Sequence, residues 1–196
     1  MSDEQGEVVP VDGAGKTARD GKQAPAEREA KLAAFMAQLK KLKNRDRQDI
    51  GAEGLVVHSE DAIWLDASVT GNPSEIGVLL DIPARTMEFY LQRIPVGAAT
   101  DLQRHVHESV HFVLEGEGYS EIGEQVVRWK KGDFVYTPPW IWHRHYNTGT
   151  VTVEMLLIEN SRLLEALDAN RRESAGLIDY RTWAKQKREE EEGGRR

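Results

Sequence analysis

A chain of 196 residues, 39% hydrophobic and 30% charged, has room for one domain of ordinary size with terminal extensions, a modest core and a well-charged surface. Its formal net charge of -7 argues against a general nucleic-acid binder, which needs a basic footprint. Cysteine is absent, which excludes disulfides and thiolate ligands and leaves imidazole and oxygen to hold any metal.

No run approaches the ~20 apolar residues that span a bilayer. The start is acidic (Ser2, Asp3, Glu4) and lacks the apolar stretch of a secretory signal. The expectation is a cytoplasmic protein with neither a membrane nor a nucleic acid as partner.

Residues 1–24 are rich in Gly, Asp, Glu, Lys and Gln without hydrophobic period, the composition of a disordered tail. Pro25 then stands where a helix can begin. Ala30, Ala33, Phe35, Met36, Leu39 and Leu42 follow at helical spacing with Lys and Arg between them, predicting an amphipathic helix within 25–46 that ends near Asn44. Its apolar face would pack on the main body or on a second subunit.

Residues 50–160 change to short extended runs. Met87, Phe89 and Leu91 alternate with Glu88, Tyr90 and Gln92, and Val151, Val153, Met155 and Leu157 alternate with Thr152, Glu154 and Leu156. Both are the period-two pattern of half-buried strands. Pro95-Val-Gly97, Gly116-Glu-Gly118, Gly123, Lys131-Gly132 and Pro138-Pro139 punctuate the stretch with turns. Many short strands with closely spaced turns predict an all-β sandwich or barrel. Residues 161–196 return to helix, with Leu163, Leu164, Leu167, Leu177 and Trp183 as apolar positions. The charge run Lys185–Arg196 reads as a solvated, fraying terminus.

The chemistry lies in the histidines, of which the chain has 6. His105 and His107 stand two apart, so on a strand both face one side, the spacing at which two imidazoles share a cation. His111 can return across a tight turn to the same cavity, and the group that holds His143 and His145 would supply a further imidazole from a distant strand. Neutral imidazoles side by side gain little without a metal, so the pattern favours metal binding over a set of satisfied polar residues.

These two stretches resemble the two sequence motifs of the cupin superfamily. Gly132, Pro138, His143 and Asn147 stand at the spacing of the second motif, with Trp140 where the family usually has glycine. The first motif admits two registers. With Gly97 and Gly116 as its glycines, the His-x-His slots fall on Gln103 and His105, and the glutamate slot on Ser109 beside Glu108. With His105 and His107 as the His-x-His, His111 takes the glutamate slot and Gly118 closes the motif. The resemblance implies an all-β cupin (double-stranded β-helix, jelly-roll) barrel with flanking N- and C-terminal helices.

Within that superfamily, Phe112–Gly118 and Thr137-Pro-Pro-Trp-Ile-Trp-His143-Arg-His145 are similar to gentisate 1,2-dioxygenase and its relatives, over roughly residues 85–158. Such enzymes usually carry two cupin domains. The likeness implies one divalent metal ion per chain, Fe(II) favoured with Mn, Ni or Zn as alternatives. It also implies a small aromatic or dicarbonyl substrate, dioxygen, and a homodimer. His105, His107, His111 and His143 are the expected ligands, and Gln103, Tyr136, Trp140, Trp142 and His145 the expected substrate pocket. Glu108, at the hairpin turn, could orient a histidine or act as a general base; a solvated turn carboxylate is the bland alternative. A non-oxidative isomerase or lyase using Mn, Zn or Ni, or a non-catalytic small-molecule-binding cupin, are the competing functions.

Overall fold

The computed structural model describes residues 25–44 and 54–194, the side chains of 25 and 38–44 excepted. The expected tail over 1–24 and the side chains of Leu39 and Leu42 lie outside the described residues.

Helix α1 spans Pro25–Asn44. Successive helical residues point about 100° apart, and only part of the expected apolar face is used. Phe35 packs on Leu65, Val78 and Leu80. Leu32 and Met36 are exposed, as are Ala30 and Ala33. Lys31 helps fix α1 through its ammonium, 3.1 Å from the Asp66 carboxylate.

Strand β1 (Ile63–Leu65), the single-turn α2 (Ala67–Thr70), β2 (Glu75–Val78) and β3 (Glu88–Ile94) lead into the main body. There follow β4 (Leu102–His105), β5 (Ser109–Glu115), β6 (Glu117–Ile122), β7 (Gln125–Lys130), β8 (Phe134–Thr137), β9 (His143–Asn147) and β10 (Val153–Glu159). The C-terminal part is α3 (Ser161–Ala166), β11 (Arg172–Gly176) and α4 (Tyr180–Gly193). The strands form two antiparallel sheets, ordered β1-β2-β3-β10-β5-β8 and β11-β4-β9-β6-β7. Ile94, Val113, Val135, Val153, Met155 and Leu157 of the first sheet share one core with Trp129 and Ile122 of the second. This is a double-sheet jelly roll with flanking helices, and its two sheets are not hydrogen-bonded into a closed barrel.

Period-two alternation decides what enters the space between the sheets. On β10 the inward positions are Val153, Met155 and Leu157; on β5 they are Ser109, His111 and Val113; on β9 they are His143, His145 and Asn147. The interior is therefore graded. One end is apolar, where each fully buried aliphatic contributes about 1.5–3 kcal/mol. The other end is imidazole and hydroxyl. Asn147 holds the turn after β9, donating to the carbonyls of Ile94 and Val151 and accepting from Gly149 N.

Two expectations for the C-terminal region are corrected. A strand, β11, lies between the helices and pairs with β4. Arg172-Glu-Ser-Ala-Gly176 has no apolar alternation to announce it; polar pairs hold it instead, Arg104 with Glu173 at 2.7 Å and Ser174 Oγ donating to Asp101 at 2.6 Å. The charge run Lys185–Arg196 is helical as far as Gly193, capped at its start by Asp179, which accepts from Thr182 N. It carries Lys185–Glu189 and Lys187–Glu190 pairs along its solvated surface. Leu177 lies outside both helices and is exposed. Among the described residues no helix is long and apolar enough to cross a membrane.

Candidate metal centre

Three strands bring four imidazoles together at the polar end of the interior. His105 closes β4, His111 is inward on β5, and His143 and His145 are inward on β9. All four are buried. Ring centroids lie 4.6 Å apart for His105 and His143, 4.4 Å for His111 and His145, and 5.7 Å for His143 and His145.

Hydrogen bonds to backbone carbonyls fix two tautomers, because a carbonyl can only accept. His105 Nδ1 donates to the His107 carbonyl at 2.9 Å, and His143 Nδ1 donates to the Ile141 carbonyl at 2.9 Å. Each ring is thereby left with its lone pair on Nε2. His145 Nδ1 meets Ser120 Oγ at 2.7 Å, and the same hydroxyl accepts from Trp129 Nε1 at 2.8 Å. His111 Nε2 meets Ser109 Oγ at 3.0 Å.

Three of the four remaining nitrogens, His111 Nδ1, His143 Nε2 and His145 Nε2, are buried and make no hydrogen bond. An unsatisfied buried polar atom costs about 1–3 kcal/mol, and native structures rarely keep several together without a return. Burial, then the neighbouring imidazoles, push all four rings toward the neutral form. His105 is lowered to about 4, His111 to about 3, and His143 and His145 lie well below the ordinary histidine value. Neutral imidazoles with buried free nitrogens are the donor set that a divalent transition metal takes. Among the described residues, however, no three histidine or acidic side chains have donor atoms already converged into a metal-holding group.

His107 departs from the expected arrangement. It lies in the bend between β4 and β5, not on a strand. Its ring stacks on His105 at 3.6 Å and 7°. Nδ1 meets Asn170 Oδ1 at 3.1 Å and Nε2 meets Glu159 Oε2 at 3.2 Å. A carboxylate can only accept, so Nε2 carries hydrogen toward Glu159, while Nδ1 is engaged by the Asn170 side chain. Burial alone would lower this histidine, but the hydrogen bond and charge of Glu159, with Asn170, outweigh it and raise it.

The expected pocket residues are also redistributed. Glu108 is exposed and accepts from Tyr136 Oη at 2.8 Å, so this pair faces away from the imidazoles. Gln103 stands opposite His143 in the β4–β9 ladder, but its Oε1 accepts from Arg172 Nε at 2.7 Å. Trp140 and Trp142 flank the Arg104 guanidinium, and Trp142 also packs on Trp183 of α4. Trp140 adopts φ 61, the left-handed backbone usual for the glycine whose place it takes. His145, expected in the substrate pocket, is fully buried among the other rings. Ser109, which one register of the first motif puts in the glutamate slot, lies beside His111, whereas sequence reading missed Glu159, Asn170, Ser120 and Trp129. Only Glu159 carried a signal, as the next inward position of β10 after Leu157.

Residues 90–159 match the family model described as a cupin domain. The chain is 36% identical over 64 residues to an uncharacterised protein of Methanocaldococcus jannaschii, covering 32% of this chain and 51% of that protein. It is 42% identical over 59 residues to gentisate 1,2-dioxygenase 1 of Aquipseudomonas alcaligenes, covering 29% of this chain and 17% of that protein. The chain thus spans about half of the first of these relatives and a smaller share of the second. Among solved structures, a salicylate 1,2-dioxygenase variant from Pseudoaminobacter salicylatoxidans superposes with TM-score 0.49 at 18% identity, over 57% of this chain and 32% of that one.

Proposed function

Starting from a chain whose residues 90–159 match a cupin domain and which is similar over 59 residues to gentisate 1,2-dioxygenase 1, we propose that it is a metal-dependent enzyme using Fe(II) and dioxygen on a small aromatic or dicarbonyl compound. The observation that carries this reading is the group of buried, neutral imidazoles on three strands, three of whose nitrogens lack any partner.

His105 and His143 are the principal ligands, each through Nε2, because the carbonyls of His107 and Ile141 hold their Nδ1 hydrogens. His111 and His145 complete the donor set. A divalent iron held there would supply the redox chemistry that dioxygen activation needs. The chain's own part is to bind and orient. Trp129 and Ser120 fix the back of His145, and Val113, Met155 and Leu157 are buried on the same inward strand faces as the rings. His107 is a poor ligand in this arrangement, and Glu108 is too far outside to serve as a base. A homodimer is part of the same proposal, supported by the exposed aromatic side chains of Phe134 and Tyr136 on the edge strand β8.

Reconstitution with Fe(II) under anaerobic conditions, followed by oxygen-uptake measurements on diphenols and β-diketones, tests the reading. Uptake that depends on both iron and organic substrate is expected. Stoichiometric iron with no uptake across that panel would overturn the dioxygenase assignment. Metal analysis of protein purified without added metal separates iron from manganese, nickel or zinc.

A further inference from the structure

We propose that Glu159 is a positioning residue for the metal centre, acting on both sides of the imidazole group through His107 and Ser109; this rests on the metal-binding reading above. Glu159 ends β10 on the face that buries Val153, Met155 and Leu157, and it stands directly opposite Ser109 in the β5–β10 ladder. Its side chain is 13% exposed and that of His107 8%, so the carboxylate belongs to the interior, not the surface.

One branch runs to His105. Oε2 of Glu159 accepts from His107 Nε2 at 3.2 Å, while Asn170 Oδ1 holds the other ring nitrogen at 3.1 Å. The ring so fixed stacks on His105 at 3.6 Å, and the carbonyl of the same residue takes the His105 Nδ1 hydrogen. Glu159 therefore secures the residue that sets both the tilt and the tautomer of His105.

The other branch runs to His111. Ser109 Oγ lies 3.5 Å from Glu159 Oε1 and 3.0 Å from His111 Nε2. A serine hydroxyl has one hydrogen, and a carboxylate can only accept. With that hydrogen given to Glu159, Ser109 accepts from His111 Nε2, and the lone pair of His111 stands on Nδ1. That atom is the buried nitrogen without a partner. One acceptor-only group thus orders the hydrogens of His107, the support of His105, and of His111.

On its other side Glu159 faces Glu88 in the β3–β10 ladder. Like charges directly opposite on a sheet are unfavourable. Glu88 is drawn off by Tyr90 Oη and Ser161 Oγ, leaving Glu159 to His107 and Ser109.

The test is Co(II) binding to the whole chain, read by affinity and by the visible absorption spectrum of the bound ion. Glu159→Gln keeps size and shape but puts a donor where one acceptor is needed. It is expected to bind Co(II) roughly 10–100-fold more weakly with an altered spectrum, while the metal-free variant unfolds at nearly the wild-type urea concentration. Ser109→Ala, a small change should the first variant fold poorly, is expected to weaken binding in the same direction. The two together should be less than additive, since they cut one chain of hydrogen bonds. Wild-type affinity and spectrum in Glu159→Gln and in Ser109→Ala would overturn the positioning role and leave the metal site standing. Failure of the wild-type chain to bind Co(II) would overturn both.

Discussion

His105 gives its Nδ1 hydrogen to the carbonyl of His107 and lies flat against the same residue's ring, 3.6 Å away. Two histidines two residues apart therefore do different work. One keeps a free nitrogen for a ligand, and the other, tied to Glu159 and Asn170, serves as its support.

His105→Ala and His143→Ala should each abolish stabilisation by added Zn(II), whereas substitution of the exposed His58, outside the group, should preserve it. In the wild-type chain, free Zn(II) at a hundredfold excess over its dissociation constant adds about 2.7 kcal/mol to stability. Thermal unfolding with and without the ion reads the difference. An undiminished shift in His143→Ala would remove that residue from the site.

The metal-free protein should lose stability as the medium is acidified. His105 titrates near 6.5 when unfolded and about 4 when folded, and His111 at about 3 when folded. Below pH 6.5 the unfolded chain takes up protons that the folded chain refuses. Each such ring then costs about 1.4 kcal/mol per pH unit until its folded value is reached. His107, raised by Glu159, acts in the opposite sense and offsets part of the loss. Urea midpoints measured from pH 7 to pH 4 should fall steadily; a flat profile would contradict neutral buried rings.

Trp140 combines a left-handed backbone, φ 61, with a ring centred 4.3 Å from the Arg104 guanidinium carbon. A side chain in that conformation costs about 1–2 kcal/mol, which glycine escapes. Trp140→Ala loses the stacking and keeps the strain, so it should be less stable than Trp140→Gly by roughly 1 kcal/mol. This reverses the usual order of alanine and glycine, and urea unfolding of both variants checks it.

Gly118 is required for close approach. A β-carbon there would stand on the carbonyl oxygen of Tyr146 and within 2.6 Å of the Trp129 ring. Gly118→Ala should cost about 3 kcal/mol, because one obstacle is backbone that cannot rotate away. It should also disturb His145, since Trp129 Nε1 donates to the serine that His145 meets.

The strands and the histidine group were legible because both depend on local regularities. Alternation along 151–157 and the frame of Gly132, Pro138, His143 and Asn147 are short-range patterns that a pleated backbone converts directly into inward and outward faces. His143 and His145 share that parity, and the structure buries both. Parity cannot tell where a strand stops, however. His107 looked like a strand partner of His105, but β4 ends at His105 and the next residues bend. Glu108 was noticed for its nearness in sequence and turned outward to Tyr136.

The sequence by itself determined that β-strands would carry buried imidazoles toward one another, since period and residue type are both written locally. Only the tertiary structure decided which carboxylate would serve them. Glu159 and Asn170 reach His107 from the end of β10 and from the segment before β11. Such partners are selected by sheet order and register, which sum over the packing of the whole domain; local spacing marks Glu159 as inward but does not name the residue it meets.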